Sequence, residues 1–227
     1  MSVDPGGAPA EGNLTVYRQL RGAIVSGRFQ PNERLVEADL IRLTGAGRSA
    51  IREALIRLEQ EGLVSREPNR GARVRLVSDE EAIEITEARA ALEVLAVRYA
   101  AERIAPEGVR ELGRIVDGMR ERCREGDLLA YSELNGRFHR LLLDASGHET
   151  ATRLLSLLRS QSIRFQYQTI FQAGRAAASQ AEHEAIADAV SRHDAEAAQA
   201  AMRAHLAHVV ETLRVAIERH RRTAGAL

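Results

Sequence analysis

Apolar residues near the start of the chain recur at the spacing of amphipathic helices. A first helix that ends at Gly27 is predicted by five of them, Leu14, Tyr17, Leu20, Ala23 and Ile24. A second helix is predicted over residues 36–43, and a third over residues 48–61 after the glycine-containing connector 44–47. Two helices joined by so short a turn form a helix-turn-helix, a motif that inserts its second helix into the major groove of DNA.

Beyond Gly62 the helical spacing gives way to two short strand-like segments. Residues 63–66 and 72–76 predict two strands, and the sequence Pro68-Asn69-Arg70-Gly71 between them is a strong turn signal. A hairpin that directly follows a helix-turn-helix is typical of a winged helix-turn-helix.

Polar side chains of this segment predict contacts with DNA. Arg48 and Arg52 lie one helical turn apart at the start of the third helix, where they can reach guanine edges or phosphates, and Ser49 can donate to a phosphate. Arg70 at the tip of the hairpin can reach the minor groove or the backbone, and Gly71 permits a close approach. For any one arginine a surface ion pair is the competing interpretation, but the turn, the hairpin and the local charge together favour DNA binding.

From Ser78 onward the pattern is helical, with little strand character. Six helices are predicted, over residues 79–104, 107–125, 127–146, 149–172, 176–192 and 194–222. Asp127 and Asp194 are expected to be N-caps, because an aspartate side chain can accept from the free N–H groups of a first turn.

The predicted fold class is therefore mainly α, in two domains with a tail. Residues 1–13 are interpreted as a disordered tail and residues 14–78 as the winged helix-turn-helix, with three helices and a β-hairpin. Residues 79–227 are predicted to form an all-α antiparallel helical bundle that binds an effector and dimerises.

Composition adds an asymmetry of charge. The net charge of the 227 residues is zero, yet residues 14–77 contain 12 Arg against 7 Asp or Glu, which predicts that only this segment meets a polyanion. No apolar run approaches the ~18 residues of a membrane span, and the N-terminus lacks the features of a signal peptide, so we expect a cytoplasmic protein with no membrane partner. The single cysteine, Cys123, excludes an intrachain disulfide and a metal site built from cysteines.

Three segments of the N-terminal part resemble the DNA-binding domain of the GntR family of bacterial transcription regulators. They are QPNERL at 30–35, RSAIREAL at 48–55 and LEQEGLV at 58–64. The resemblance implies DNA contacts from Arg34, Arg48, Ser49, Arg52 and Gly71. One departure is Asn32, which stands where the family usually has glycine.

The helical part resembles the FCD ligand-binding domain of the FadR subgroup of that family. The segments that carry this resemblance are RAALE at 89–93, NGRFH at 135–139, EHEAI at 182–186 and MRAHL at 202–206. Members often bind a divalent metal through one Asp and three His from separate helices, and the matching residues here are Asn135, His139, His183 and His205.

Asn135 is a departure from that metal-binding set. An amide oxygen is a poorer ligand than a carboxylate, so either the metal is held more weakly or Asn135 only hydrogen-bonds a bound water or ligand. Asn135 and His139 are four residues apart and share one face of their helix. Three neutral imidazoles suit Zn, Ni or a similar ion, while three histidines satisfied by hydrogen bonds are the alternative. His208, three residues after His205, could substitute as a ligand or face solvent.

The resemblance further implies a small organic acid as the effector, whose carboxylate can complete the metal's coordination. Arg89 and Arg164 are the candidate partners of that carboxylate, although either can equally be a surface arginine. The predicted function is that of a homodimeric, non-enzymatic repressor on a DNA operator. The alternatives are a regulator for which the metal is itself the signal and, ranked far lower, a metal-dependent hydrolase, for which the sequence offers no recognisable base or nucleophile.

Overall fold

The computed structural model describes residues 8–67, 71–170, 172 and 174–224, and its contacts divide the chain into two compact units, residues 1–78 and 79–227. Arg70 lies outside the described residues. Arg164 belongs to a described helix, but its side chain is likewise outside the described part.

The first unit is a winged helix-turn-helix, as the sequence predicts. Its helices are α1 (Ala8–Val25), α2 (Glu37–Thr44) and α3 (Arg48–Gln60). Its strands are β1 (Arg34–Leu35), β2 (Val64–Glu67) and β3 (Gly71–Val74), which form an antiparallel sheet in the order β1-β3-β2.

Helix α3 presents two chemically different faces. Its apolar face is buried in the core of the unit through Ile51, Ala54, Leu55 and Leu58. The turn before α3 begins at Gly45, whose backbone φ is 70° and whose N–H donates to the carbonyl of Ile41 at 2.8 Å. The charged start of α3 is therefore left at the surface.

Strand β1 was not expected from the sequence. It is two residues long, with Arg34 opposite Arg73 and Leu35 opposite Ala72. Two residues are too few to show an alternating pattern, so only the tertiary pairing reveals this strand. It joins the segment before α2 to strand β3 of the hairpin.

Asn32 and Gly71 flank this three-stranded arrangement. Asn32 has a φ of 64°, the left-handed conformation that asparagine tolerates better than most residues, which explains why it can replace a glycine. Gly71 has a φ of 86°, and a Cβ there would lie 2.9 Å from the carbonyl oxygen of Leu35. Glycine is thus required at this position because a larger residue would clash with strand β1. This reason differs from the predicted close approach to DNA.

The predicted disordered tail is wrong from Ala8 onward, because α1 begins there rather than at residue 14. Pro9 occupies the first turn of this helix, where a proline is tolerated because the missing N–H would have no helical partner. The first apolar residue of the amphipathic pattern therefore lies inside the helix and does not mark its start.

The described residues of the second unit form six helices, whose bounds lie within two residues of the predicted ones. They are α4 (Asp79–Arg103), α5 (Pro106–Glu125), α6 (Leu128–Ser146), α7 (Glu149–Ile170), α8 (Arg175–Ser191) and α9 (Ala195–Ala224). The core between these helices contains large side chains that are fully buried, among them Leu112, Met119, Tyr131, Phe138 and Ile186. None of the helices described in the structure has both the length and the apolar character that crossing a membrane requires.

Both predicted N-caps of this unit are confirmed. The side chain of Asp127 accepts from the N–H of Ala130 at 3.0 Å, and that of Asp194 accepts from the N–H of Ala197 at 2.9 Å. These caps fix the starts of α6 and α9, two of the helices that supply the candidate site.

Candidate metal centre and DNA-reading surface

Three histidines from different helices converge in the core of the helical unit. His139 of α6, His183 of α8 and His205 of α9 are all buried, and one ring nitrogen from each lies within 4.8 Å of the other two. The Nε2 atoms of His139 and His183 are 3.3 Å apart. The structure thus brings together all three histidines that the sequence singled out.

Two of these rings have a carboxylate next to their Nδ1 atom. Nδ1 of His139 lies 2.8 Å from Glu93 Oε2, and Nδ1 of His205 lies 2.7 Å from Glu182 Oε2. A carboxylate can only accept, so Nδ1 of His205 donates to Glu182, whereas Nδ1 of His139 lies at ion-pair distance from Glu93 without the geometry of a hydrogen bond. Metal-binding histidines in proteins are commonly oriented by such carboxylates.

The third ring is surrounded by hydroxyl groups. Nδ1 of His183 is 3.4 Å from both Tyr131 Oη and Ser179 Oγ. Burial lowers the pKa of His183 well below its usual value, and the neighbouring His205 and His139 lower it further. Burial also lowers the pKa of His139, although Glu93 opposes this effect. Both rings are therefore neutral near pH 7, which is the form that binds metals.

The two supporting carboxylates are ionised in spite of their surroundings. Burial alone would raise the pKa of Glu93, but Arg159, His139 and Arg89 outweigh it and hold that pKa well below the ordinary value. Burial likewise opposes ionisation of Glu182, whose pKa is nevertheless lowered to about 2, chiefly by hydrogen bonds from His205 and Arg175.

Asn135 supplies an unsatisfied acceptor one helical turn before His139. Its Oδ1 is buried, and none of the described residues donates a hydrogen bond to it. A buried polar atom without a partner costs about 1–3 kcal/mol, so this oxygen fits a role as a ligand or as the acceptor of a bound molecule.

Of the two arginines predicted to bind the effector, only Arg89 has a side chain within the described part of the structure. It is buried in α4, and its Nη2 donates to Glu93 Oε1 at 3.0 Å. Arg159 of α7, which sequence reasoning missed, lies 3.3 Å from the same oxygen. Glu93, His139 and Arg159 line a small cavity with apolar walls that include Leu155.

Glu93 and Glu182 were also missed as supporting residues. Both lie in segments that the sequence singled out, since Glu93 is one helical turn after Arg89 and Glu182 directly precedes His183. His208 is a further partner of Glu182, with its Nδ1 2.8 Å from Oε1, and its side chain is 65% exposed. It lies outside the cluster of three rings.

The candidate DNA-binding residues lie on the surface of the first unit. Arg48 and Ser49 are exposed at the start of α3, and Arg34 is exposed on β1. Arg52 is also exposed, but its Nε lies 3.1 and 3.2 Å from the two carboxylate oxygens of Glu37 on α2. Sequence reasoning gave no role to Glu37.

Comparison with known proteins gives two family matches that together span most of the chain. Residues 84–208 match the FCD domain family, and residues 13–74 match the family described as bacterial regulatory proteins, gntR family. The first match alone covers more than half of the chain.

Individual relatives match over nearly their whole length. The uncharacterized HTH-type transcriptional regulator YdhC of Bacillus subtilis is 29% identical over 206 residues, which are 90% of this chain and 92% of the relative. The HTH-type transcriptional repressor RspR of Escherichia coli is 27% identical over 202 residues, 89% of each chain. Among solved structures, E. coli McbR/YncC superposes with a TM-score of 0.72 at 20% identity, over 92% of this chain and 98% of that one.

Proposed function

The chain belongs to the GntR family of bacterial regulatory proteins and carries an FCD domain, and on that premise we propose that a small organic acid, bound beside a divalent metal ion, controls its operator affinity. Its curated relatives are transcription regulators, and the chain is accordingly a DNA-binding transcription regulator and not an enzyme.

The arrangement of the three histidines carries the metal part of the proposal. His139, His183 and His205 each offer one ring nitrogen to one centre, and Asn135 Oδ1 is the candidate fourth ligand. Such nitrogen-rich sites favour Zn or Ni among divalent ions. When bound, the ion would supply an electrophilic centre for a carboxylate of the effector.

Charge supports an anionic effector. The carboxylates of Glu93 and Glu182 are already engaged by guanidinium groups and imidazoles, so neither is available to balance a divalent ion. The Nε atoms of Arg89 and Arg159 are buried, and among the described residues no acceptor forms a hydrogen bond with either of them. An organic acid would bring the missing negative charge, and Arg164 remains a proposed second partner for it.

In the proposed mechanism a homodimer places two recognition helices in successive major grooves of a near-palindromic operator. Arg34, Arg48, Ser49, Arg52 and Arg70 are the proposed DNA contacts, together with the backbone at Gly71. The effector shifts the population of the DNA-binding conformation only to the extent that it binds the two conformations with different affinity. As in RspR, whose name describes a repressor, we propose repression.

Elemental analysis of purified protein tests the metal site. The double variant His139→Ala with His183→Ala is expected to lose the metal that the wild type carries in stoichiometric amount. A matched control is His148→Asn with His193→Asn, which alters two histidines outside the cluster. Asparagine suits both positions, since His148 Nδ1 accepts a hydrogen bond from the N–H of Ala151 and His193 has a φ of 57°. Equal metal content in wild type and both double variants would remove the site.

Operator binding measured with and without organic acids then distinguishes the two kinds of regulator. Metal-loaded protein is expected to change its operator affinity only when a suitable organic acid is added. A change produced by metal titration alone would instead make the metal the signal.

A further inference from the structure

Arg52 on α3 is held by a carboxylate of the preceding helix. Its Nε donates to both oxygens of Glu37, the first residue of α2. The side chains are 65% and 32% exposed, so this ion pair contributes little to the stability of the fold. Its effect on the orientation of Arg52 is more important.

The contact occupies only one edge of the guanidinium group. Nε is bound to Glu37, while the two terminal nitrogens have no acceptor among the residues that the structure describes. Guanine presents O6 and N7 in the major groove, and two N–H groups of one arginine can contact both atoms together. A guanidinium group anchored at Nε still offers its terminal pair for that contact.

Glu37 also changes how this part of the surface meets the phosphate backbone. Its negative charge offsets that of Arg52 and repels phosphates, which weakens attraction to DNA of any sequence. Arg48, one turn earlier, has no ion-pair partner in the described part of the chain and keeps its full attraction for phosphate. The two arginines of α3 are therefore electrostatically unlike each other.

We propose that Glu37 is a positioning residue that determines specificity. It orients Arg52 to read a guanine, and it lowers the affinity of the regulator for DNA that lacks this base. The inference rests on the proposed operator contact of Arg52.

The test compares three single variants of the full-length chain with the wild type. Operator sequences are first selected from a random duplex library with the wild type and then with Glu37→Ala, Arg52→Ala and Asp39→Ala. Asp39 is the matched control, because it is an exposed acidic residue of the same first turn of α2 but pairs with Arg42. Both acidic variants remove one negative charge and one favourable interaction with the start of the helix.

Glu37→Ala is expected to lose the base preference at the same base pair as Arg52→Ala and to bind the wild-type operator about tenfold more weakly. Its affinity for a scrambled duplex is expected to rise, as for Asp39→Ala, which keeps the wild-type base preference. A purely structural defect would lower both affinities together and would also lower the unfolding midpoint.

The inference is overturned if Glu37→Ala retains the base preference that Arg52→Ala loses. If Arg52→Ala itself binds and selects like the wild type, the proposed operator contact of Arg52 fails, and the role of Glu37 fails with it.

Discussion

Asn135 leaves the candidate metal centre without an anionic ligand from the protein. Three neutral imidazoles and one amide oxygen would surround a divalent ion, and the nearby carboxylates of Glu93 and Glu182 reach it only through His139 and His205. A carboxylate at position 135 would add a direct opposite charge in a buried site, where charges interact more strongly than in water.

Asn135→Asp is therefore expected to raise the affinity for Zn²⁺ at least about tenfold, the equivalent of ~1.4 kcal/mol. Competition with a chromophoric chelator measures this affinity. The control is Arg140→Gln, which makes the same change in net charge at an exposed position of α6. Similar affinities for the two variants would show that Asn135 does not contact the ion.

Gly71 combines an unfavourable backbone conformation with a close neighbour. Gly71→Ala is expected to lower the free energy of unfolding by about 1–3 kcal/mol, because a Cβ at φ 86° is strained and would also lie 2.9 Å from the carbonyl oxygen of Leu35. Gly45→Ala is the control, since Gly45 has a φ of 70° but no atom near its added Cβ. Denaturant unfolding should show the larger loss for Gly71→Ala, and equal losses would contradict the clash.

At this scale the sequence could name the site but could not show how it is built. Spacing alone does not bring His139 and His183 together, because they are 44 residues apart, so their selection depended on the resemblance to a family. The ion pair between Glu37 and Arg52 joins two helices across a turn. No helical repeat of three or four residues indicates such a contact.

Elements with a repeating apolar pattern or a strong turn signal were predictable, including the short strands β2 and β3 of the hairpin, whereas the two-residue strand β1 was not. Helices α5 and α6 repeat their apolar pattern over several turns, and each ends at a glycine with positive φ, Gly126 and Gly147. Strand β1 has two residues and depends entirely on its pairing with β3. The start of α1 was missed because Ala8 and its neighbours carry no amphipathic pattern.

Helix α6 offers a direct test of a cap. Asp127→Ala is expected to destabilise the protein by about 0.5–2 kcal/mol, because the N–H of Ala130 loses its acceptor. Asp127→Asn is the matched control, since its amide oxygen can still accept. Chemical denaturation measures both variants, and a loss of equal size in Asp127→Asn would mean that charge, rather than the hydrogen bond, stabilises this helix start.

For the whole molecule, a bound ion would stabilise only the folded helical unit, because the unfolded chain does not hold the three rings together. At a free metal concentration of about 100 times Kd this stabilisation amounts to ~2.7 kcal/mol. A chelator is therefore expected to lower the unfolding temperature of the wild type in calorimetry. The double variant His139→Ala with His183→Ala should show no such shift, and a shift of the same size there would place the ion elsewhere.

The last of the three imidazoles in sequence order, His205, belongs to α9. A ribosome must therefore have synthesised α9 before all three nitrogens can share one centre. An ion at this site could not guide the folding of the helices that are synthesised before α9. Every newly synthesised molecule would therefore initially lack the ion. The fraction of loaded regulator would then follow the supply of metal in the cell after synthesis, and rapid growth would dilute it with fresh, unloaded copies.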